Sequence, residues 1–184
     1  MKRLLAILAA ALVTASAFAQ NLPAKMRMEI TEIEQNDDVY SVFQYKDDDG
    51  GAASYYLSLR KVRSGFDFSI GDSFTGGIQD YDETCLSIGA NLSQAVEFMD
   101  TLLDLIDQQP GTSVEFASRP TVLLEGMGDF TTTQCNVVKT LFGKRLEFVF
   151  KGRGDRTSAL DLTKTDIKAL KTGIKFHQKL HPDN

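Results

Sequence analysis

Alternating apolar and polar positions predict β-strands in the first part of the chain. Residues 26–30 and 66–70 alternate apolar with polar, and residues 39–46 are rich in aromatic and β-branched side chains. In residues 55–59, a tyrosine and two leucines fall two positions apart and so share one face of a strand. Asp and Gly residues at 47–51 form a turn signal between the second and third segments. The pattern predicts a meander of about four antiparallel strands.

Two segments carry apolar residues at helical spacing behind an N-cap signal. Asn91 is followed three residues later by Gln94, which resembles a capping box. Thr163 and Asp166 form a second such pair before the last apolar-periodic segment. The predicted helical stripes are Leu92, Val96, Met99, Leu103 and Ile106 in the first helix, and Ile167, Leu170, Ile174, His177 and Leu180 in the second.

The second half of the chain repeats this order of strands and helix. Further β-type segments lie at residues 114–116, 122–124, 131–141, 145–151 and 159–162. An amphipathic helix and a one-faced sheet each need cover for their apolar side, so we expect the two helices to pack on the antiparallel meanders. The predicted fold class is α+β, in one globular domain covering residues 20–184.

The two halves resemble each other in their apolar positions. Shifting the chain by 74 positions places Leu86 on Leu160 and Ile88 on Leu162, each pair just before a predicted helix. Residues 25–109 and 112–181 can therefore be read as two pseudo-repeated units of meander plus helix. Shared strand and helix periodicity alone would give the same matches, so duplication and coincidence both stay open.

The first 19 residues have the three-part layout of a secretory signal peptide. Lys2 and Arg3 precede an apolar run at residues 4–13 that is too short to span a bilayer. Small residues then end at Ala19, so cleavage is expected between Ala19 and Gln20. The residue directly after the cleavage point is not a cysteine, and we therefore expect a Sec-type exported protein that is not a lipoprotein, located in a periplasm or secreted.

Export leaves a chain that is acidic and has no further apolar segment of membrane-spanning length. Removal of 19 of the 184 residues leaves 165, with 18 basic and 25 acidic side chains and a net charge of −7. Nucleic-acid binding depends on clustered cations, so a nucleic-acid partner is not expected. We expect no cofactor, and a partner that is a protein, an envelope component or a small ligand.

Cys85 and Cys135 are the two cysteines of the sequence. In an oxidising compartment two thiols most often form one disulfide, and a Cys85–Cys135 bond is therefore expected. Strand phase works against this bond, because Cys85 lies opposite the face of Leu86 while Cys135 is in phase with Val137. Two buried thiols are the competing interpretation. A nucleophilic cysteine is less favoured, since it needs a positioned base.

The residues that could carry catalysis or bind a metal do not form a recognisable set. His177 and His181 have a spacing that can present two imidazoles to one metal, but no acidic residue completes a zincin-like motif, so a surface pair is favoured. Asp80, Asp82 and Glu83 lie at the end of a predicted polar loop, residues 71–83. They lack the ligand spacing of a calcium loop. We expect no catalytic residues and no metal site.

Aromatic side chains provide the remaining functional signal. Tyr55 and Tyr56 are neighbours on a predicted strand and therefore point to opposite faces, so one of them is expected outside the main core unless both faces of the sheet are covered. An exposed aromatic patch there would suit a binding surface. The sequence therefore predicts an exported binding module without catalytic activity. The alternative is a secreted hydrolase that uses the loop carboxylates around Asp80 and Glu83.

Overall fold

A computed structural model describes residues 26–35, 38–46, 53–62, 81–119, 122–123, 126–127, 131–152 and 156–181. The elements within these residues are β1 (Met26–Gln35), β2 (Asp38–Lys46), β3 (Ser54–Val62), β4 (Tyr81–Gly89), α1 (Leu92–Asp107), β5 (Ser113–Arg119), β6 (Val122–Leu123), β7 (Gly126–Met127), β8 (Thr131–Thr140), β9 (Gly143–Lys151), β10 (Thr157–Thr163) and α2 (Lys164–Leu180).

Eight of the described strands form one sheet in the order β1-β2-β3-β4-β5-β8-β9-β10, while β6 and β7 pair separately. Every neighbouring pair in the large sheet is antiparallel. The two helices pack against this sheet and against each other. The predicted α+β class, an antiparallel meander with two helices, is confirmed.

The first meander differs from the prediction at its end. The fourth predicted strand, residues 66–70, lies outside the described residues, and β3 pairs directly with β4. The predicted polar loop over residues 71–83 is wrong at its last three positions, because β4 already begins at Tyr81. Asp82 and Glu83 are therefore strand residues, and both are buried. The polar side chains of this segment are typical of a loop, and the sequence therefore predicted one. In the fold these side chains are buried with partners, so the segment can pair with β3 as a strand.

Both predicted N-caps are present. The Asn91 side chain accepts a hydrogen bond from the Gln94 backbone N–H at 2.9 Å, and the Gln94 side chain accepts one from Ala90 at 2.7 Å. Thr163 and Asp166 form a reciprocal capping box at the start of α2. These bonds satisfy backbone donors that the helix itself leaves without acceptors. The caps therefore set where each helix begins.

The sheet has two differently packed faces. We call the face that packs against the helices the inner face; Leu57, Leu86 and Leu160 lie there in the main core. The opposite, outer face carries a smaller buried cluster of Phe43, Tyr45, Tyr56 and Cys85. Leu86 and Ile88, like Leu160 and Leu162, are buried just before a helix. Duplication of the two halves stays a prediction.

The last strand returns to the beginning of the sheet. β10 contacts β3 although the two are far apart in strand order. The Tyr40 hydroxyl donates to the Asp161 carbonyl at 2.9 Å, and the Ser158 hydroxyl donates to the Asp82 carboxylate at 2.5 Å. The sheet is therefore strongly curled, and its final strand lies across the ends of β2, β3 and β4.

The helices run antiparallel in the concave side of this curled sheet. Lys164 at the start of α2 pairs with Asp107 at the end of α1, and Gln178 near the end of α2 bonds Ser93 at the start of α1. Gly173 packs α2 onto β1 so closely that a Cβ there would overlap the Thr31 side chain.

No helix in the described part of the chain has the length and apolar character needed to cross a bilayer. The predicted signal peptide, residues 1–19, and its cleavage site between Ala19 and Gln20 lie outside the described residues.

Candidate functional site

The predicted surface aromatics Tyr55 and Tyr56 are not exposed. Their side chains are 2% and 6% accessible, so the prediction of an exposed patch at these residues is wrong. Tyr55 lies in the main core, where its hydroxyl accepts a hydrogen bond from the Gln44 amide at 2.8 Å. Tyr56 stacks on Phe43 on the outer face, with ring centroids 5.5 Å apart. They do point to opposite faces, but both faces at this position are packed.

A buried ionic network lies next to the outer-face cluster. One Glu83 carboxylate oxygen accepts hydrogen bonds from Ser58 at 2.5 Å, from Arg27 at 3.0 Å and from Arg60 at 3.3 Å. The Arg27 guanidinium also lies 3.9 Å from the centre of the Phe43 ring. Burial alone would raise the pKa of Glu83, but the Ser58 hydrogen bond and the two guanidinium groups outweigh it and hold the pKa below its ordinary value. Glu83 is therefore an ionised carboxylate whose role is to hold this network together.

The predicted carboxylate site does not assemble among the described residues. Asp82 and Glu83 are consecutive in β4 and point to opposite faces of the sheet. Asp82 bonds Ser158 on β10 at the inner face, whereas Glu83 bonds Ser58 at the outer face. Asp80 lies outside the described residues. Asp82 and Glu83 therefore cannot act on one substrate from a shared cleft.

The two cysteines do not form the expected disulfide. Cys135 is fully buried in the main core of the inner face, and Cys85 is fully buried in the outer-face cluster. The sheet itself, with β5 between their two strands, separates the thiols. The expected Cys85–Cys135 bond is therefore wrong, for the reason that strand phase already indicated. Burial raises the pKa of the Cys135 thiol to about 12.

We expect both thiols to be protected in the folded protein. A thiol with a pKa near 12 is almost wholly protonated at pH 8, and the thiolate is the reactive form. Titration with a chromogenic disulfide reagent should find no reactive thiol in native protein and two in denaturant. Intact mass and melting temperature should not change on addition of reductant. A mass lower by two hydrogens before reduction would contradict this expectation.

A cleft of about 690 Å³ lies where β10 meets the first meander and the ends of both helices. The free side of β10 forms one wall, and the start of β2 with the end of β3 forms another. Among the described residues that line it there is no Ser, Cys or His. Its charged lining residues are Asp38, Lys61, Asp107, Lys144, Arg145, Asp161 and Lys164.

The charges of this cleft are arranged in local pairs. Lys61 bonds Asp38 at 2.8 Å, and Arg145 bonds Asp161 at 2.8 Å. Burial raises the pKa of Asp161, and the Arg145 charge offsets part of this effect. The other Asp161 oxygen is buried without a hydrogen-bond partner in the described structure. The cleft can thus offer either sign of charge to a bound molecule.

The Lys144 side chain on β9 binds the C-terminal end of α1. Its ammonium donates to the backbone carbonyls of Asp107 at 2.9 Å and Gln108 at 2.7 Å. Helix α1 has no basic residue in its own last turn, so this cation from the β8–β9 hairpin stabilises the negative end of the helix dipole. The contact fixes the hairpin against the helix layer beside the cleft.

The tip of that hairpin exposes two large apolar side chains. Leu141 is 97% and Phe142 is 100% accessible. The turn itself is well defined: Thr140 donates from its hydroxyl to the Gly143 carbonyl at 3.0 Å, and Gly143 takes a φ of +134°, which favours glycine. Phe142 also lines the cleft. We call Leu141 and Phe142 the hairpin tip.

The hairpin tip is missing from the sequence-based expectations. The β-rich segment at residues 131–141 was expected to include Leu141 as a strand residue, whereas β8 ends at Thr140. The available signal was the glycine at 143, which places the two preceding apolar residues in a tight turn. An apolar pair in a turn has no neighbouring strand to cover it and is therefore exposed.

No group of three or more potential metal ligands occurs among the residues that the structure describes. Comparison of the chain with protein-family models, with curated proteins and with solved structures gives no match in any of the three.

Proposed function

We propose that the protein is an exported, non-catalytic binding module that docks a partner protein on the hairpin tip and the adjoining cleft. The observation that carries this proposal is the near-complete exposure of Leu141 and Phe142 at a hydrogen-bonded turn. Exposing apolar side chains of this size to water is unfavourable, and burying them against a partner removes that cost. Because the turn is already formed, binding need not order its backbone, which spares that part of the entropic cost.

The charge pattern around the tip favours a protein over other partners. Protein interfaces typically combine a central apolar or aromatic anchor with a polar rim. Here Phe142 would be the anchor, and the rim contains carboxylates as well as ammonium and guanidinium groups. A surface for nucleic acid or anionic lipid would instead be expected to carry one sign of charge. The partner surface should therefore offer an apolar pocket flanked by both acidic and basic groups.

Export is the second part of the proposal and rests on the signal-like first 19 residues. An exported protein would meet its partner in a periplasm or outside the cell. The hydrolase alternative receives no support from the described structure, since Asp82 and Glu83 point away from each other across the sheet.

The experiment is photocrosslinking from the tip in intact cells. A photoreactive amino acid at position 142 should give a discrete adduct with one protein, which mass spectrometry identifies. With that partner purified, the double variant Leu141→Ser/Phe142→Ser should bind about 30- to 1,000-fold more weakly, corresponding to about 2–4 kcal/mol. Its folded stability should not change, because both side chains are already in water.

A matched control is available on α2. Phe176 and Leu180 are 63% and 59% accessible and lie away from the cleft. The variant Phe176→Ser/Leu180→Ser should keep near wild-type affinity for the partner. Equal loss in both double variants would indicate nonspecific apolar association and contradict the proposal. Adducts with lipid only, or none from position 142, would also contradict it.

A further inference from the structure

A pair of imidazoles stands at the C-terminal end of α2, far from the cleft. His177 lies in the last turn of the helix, and His181 is the C-cap residue four positions later. Their ring centroids are 4.6 Å apart. Among the described residues, neither imidazole has a hydrogen bond or an ion pair, and each ring contacts the other.

The separation of the rings fits two nitrogens bound to one ion. Metal–nitrogen bonds to histidine are about 2.0–2.1 Å, which places a metal about 3.2 Å from each ring centroid. When each ring directs one nitrogen at the same ion, centroids 4.6 Å apart correspond to a nitrogen–metal–nitrogen angle of about 90°. That angle lies within the range of octahedral, square-planar and distorted tetrahedral complexes. The ring separation therefore allows one ion to reach a nitrogen of each imidazole.

From this geometry we infer that His177 and His181 together chelate a divalent transition-metal ion of the copper, nickel or zinc type. Imidazole is a borderline ligand that suits these ions, whereas calcium and magnesium require oxygen donors. The chain supplies two ligands, and because His181 is exposed, water occupies the remaining positions. The affinity order expected is copper above nickel and zinc.

Binding would join residues one helical turn apart and so hold the last turn of α2 together.

The sequence makes the test direct, because these are its two histidines. Untagged mature protein is titrated with copper, nickel and zinc salts by calorimetry, and the imidazole signals are followed by NMR. One ion per chain should bind, and nickel should broaden both imidazole signals together. His177→Ala and His181→Ala should each weaken copper binding at least about tenfold, because either change removes the chelate.

The matched control moves one imidazole without removing it. In the double variant His181→Ala/Lys179→His the chain still has two histidines, but residues two apart on a helix point away from each other. This variant should bind no better than the single variants. If it or either single variant kept wild-type affinity, or if wild-type protein bound no ion, the inference would be overturned. Circular dichroism should confirm that every variant retains its fold.

Discussion

Replacing Phe148 with alanine is expected to destabilise the protein by about 3–5 kcal/mol. Phe148 lies on β9 with a fully buried side chain, between Cys135 on β8 and Leu160 on β10. Its ring centroid is 6.4 Å from that of Phe116, and both belong to the packing against the helices. The substitution removes the apolar contacts and leaves a cavity that the surrounding strands cannot fill. Urea unfolding followed by circular dichroism measures the change.

The same hairpin provides the control. Phe142, six positions earlier, is the same residue type but fully exposed. Phe142→Ala should change stability by less than about 0.5 kcal/mol, because no packing is lost. Similar losses in the two variants would mean that Phe142 is covered in the folded protein, which would also undermine the proposed binding surface.

The second large effect is expected at Glu83. Glu83→Gln should destabilise the protein by about 2–4 kcal/mol at pH 7, because Arg27 and Arg60 would keep their charges without the buried anion between them. Glu29→Gln is the matched control, since Glu29 pairs with the same Arg27 but from an exposed position. That change should lower the free energy of unfolding by less than about 1 kcal/mol.

Acid titration separates the charge of Glu83 from its packing. The pKa of Glu83 is lower in the folded protein than in the unfolded chain, so its contribution is complete above about pH 4.3, the ordinary glutamate value. It is lost as the pH falls further towards the folded pKa. Wild-type protein should therefore lose stability in this range more steeply than Glu83→Gln. Parallel pH profiles for the two proteins would show that the network does not depend on charge.

Local patterns in the sequence predicted much of the fold. Strand alternation located β1, β3 and β9, a segment rich in aromatic and β-branched residues located β2, and the two N-cap pairs located the starts of both helices. Each of these features depends on residues within a few positions of one another. The face of each strand residue follows from the same alternation, which is why the phase of Cys85 and Cys135 already opposed a disulfide.

The features that the sequence did not predict depend on distant neighbours. Glu83 resembled a loop residue because its partner Arg27 lies 56 positions away and becomes visible only when β1 to β4 are side by side. The cleft depends on the curl of the whole sheet. For the hairpin tip, the turn at Gly143 is a local signal that the sequence contains. The exposure of the tip depends on which parts of the complete fold lie next to it.

The position of β10 has a consequence for how the molecule forms. The bond between Tyr40 and Asp161 joins residues 121 positions apart, and that between Asp82 and Ser158 joins residues 76 apart. Contacts of this separation require closure of long loops, which slows folding. A chain synthesised from its N-terminus can pair its early strands first, but their ends stay uncovered until the last strand is made. The wall that completes the cleft is therefore late in assembly, and unfinished chains expose strand ends that can associate with other chains.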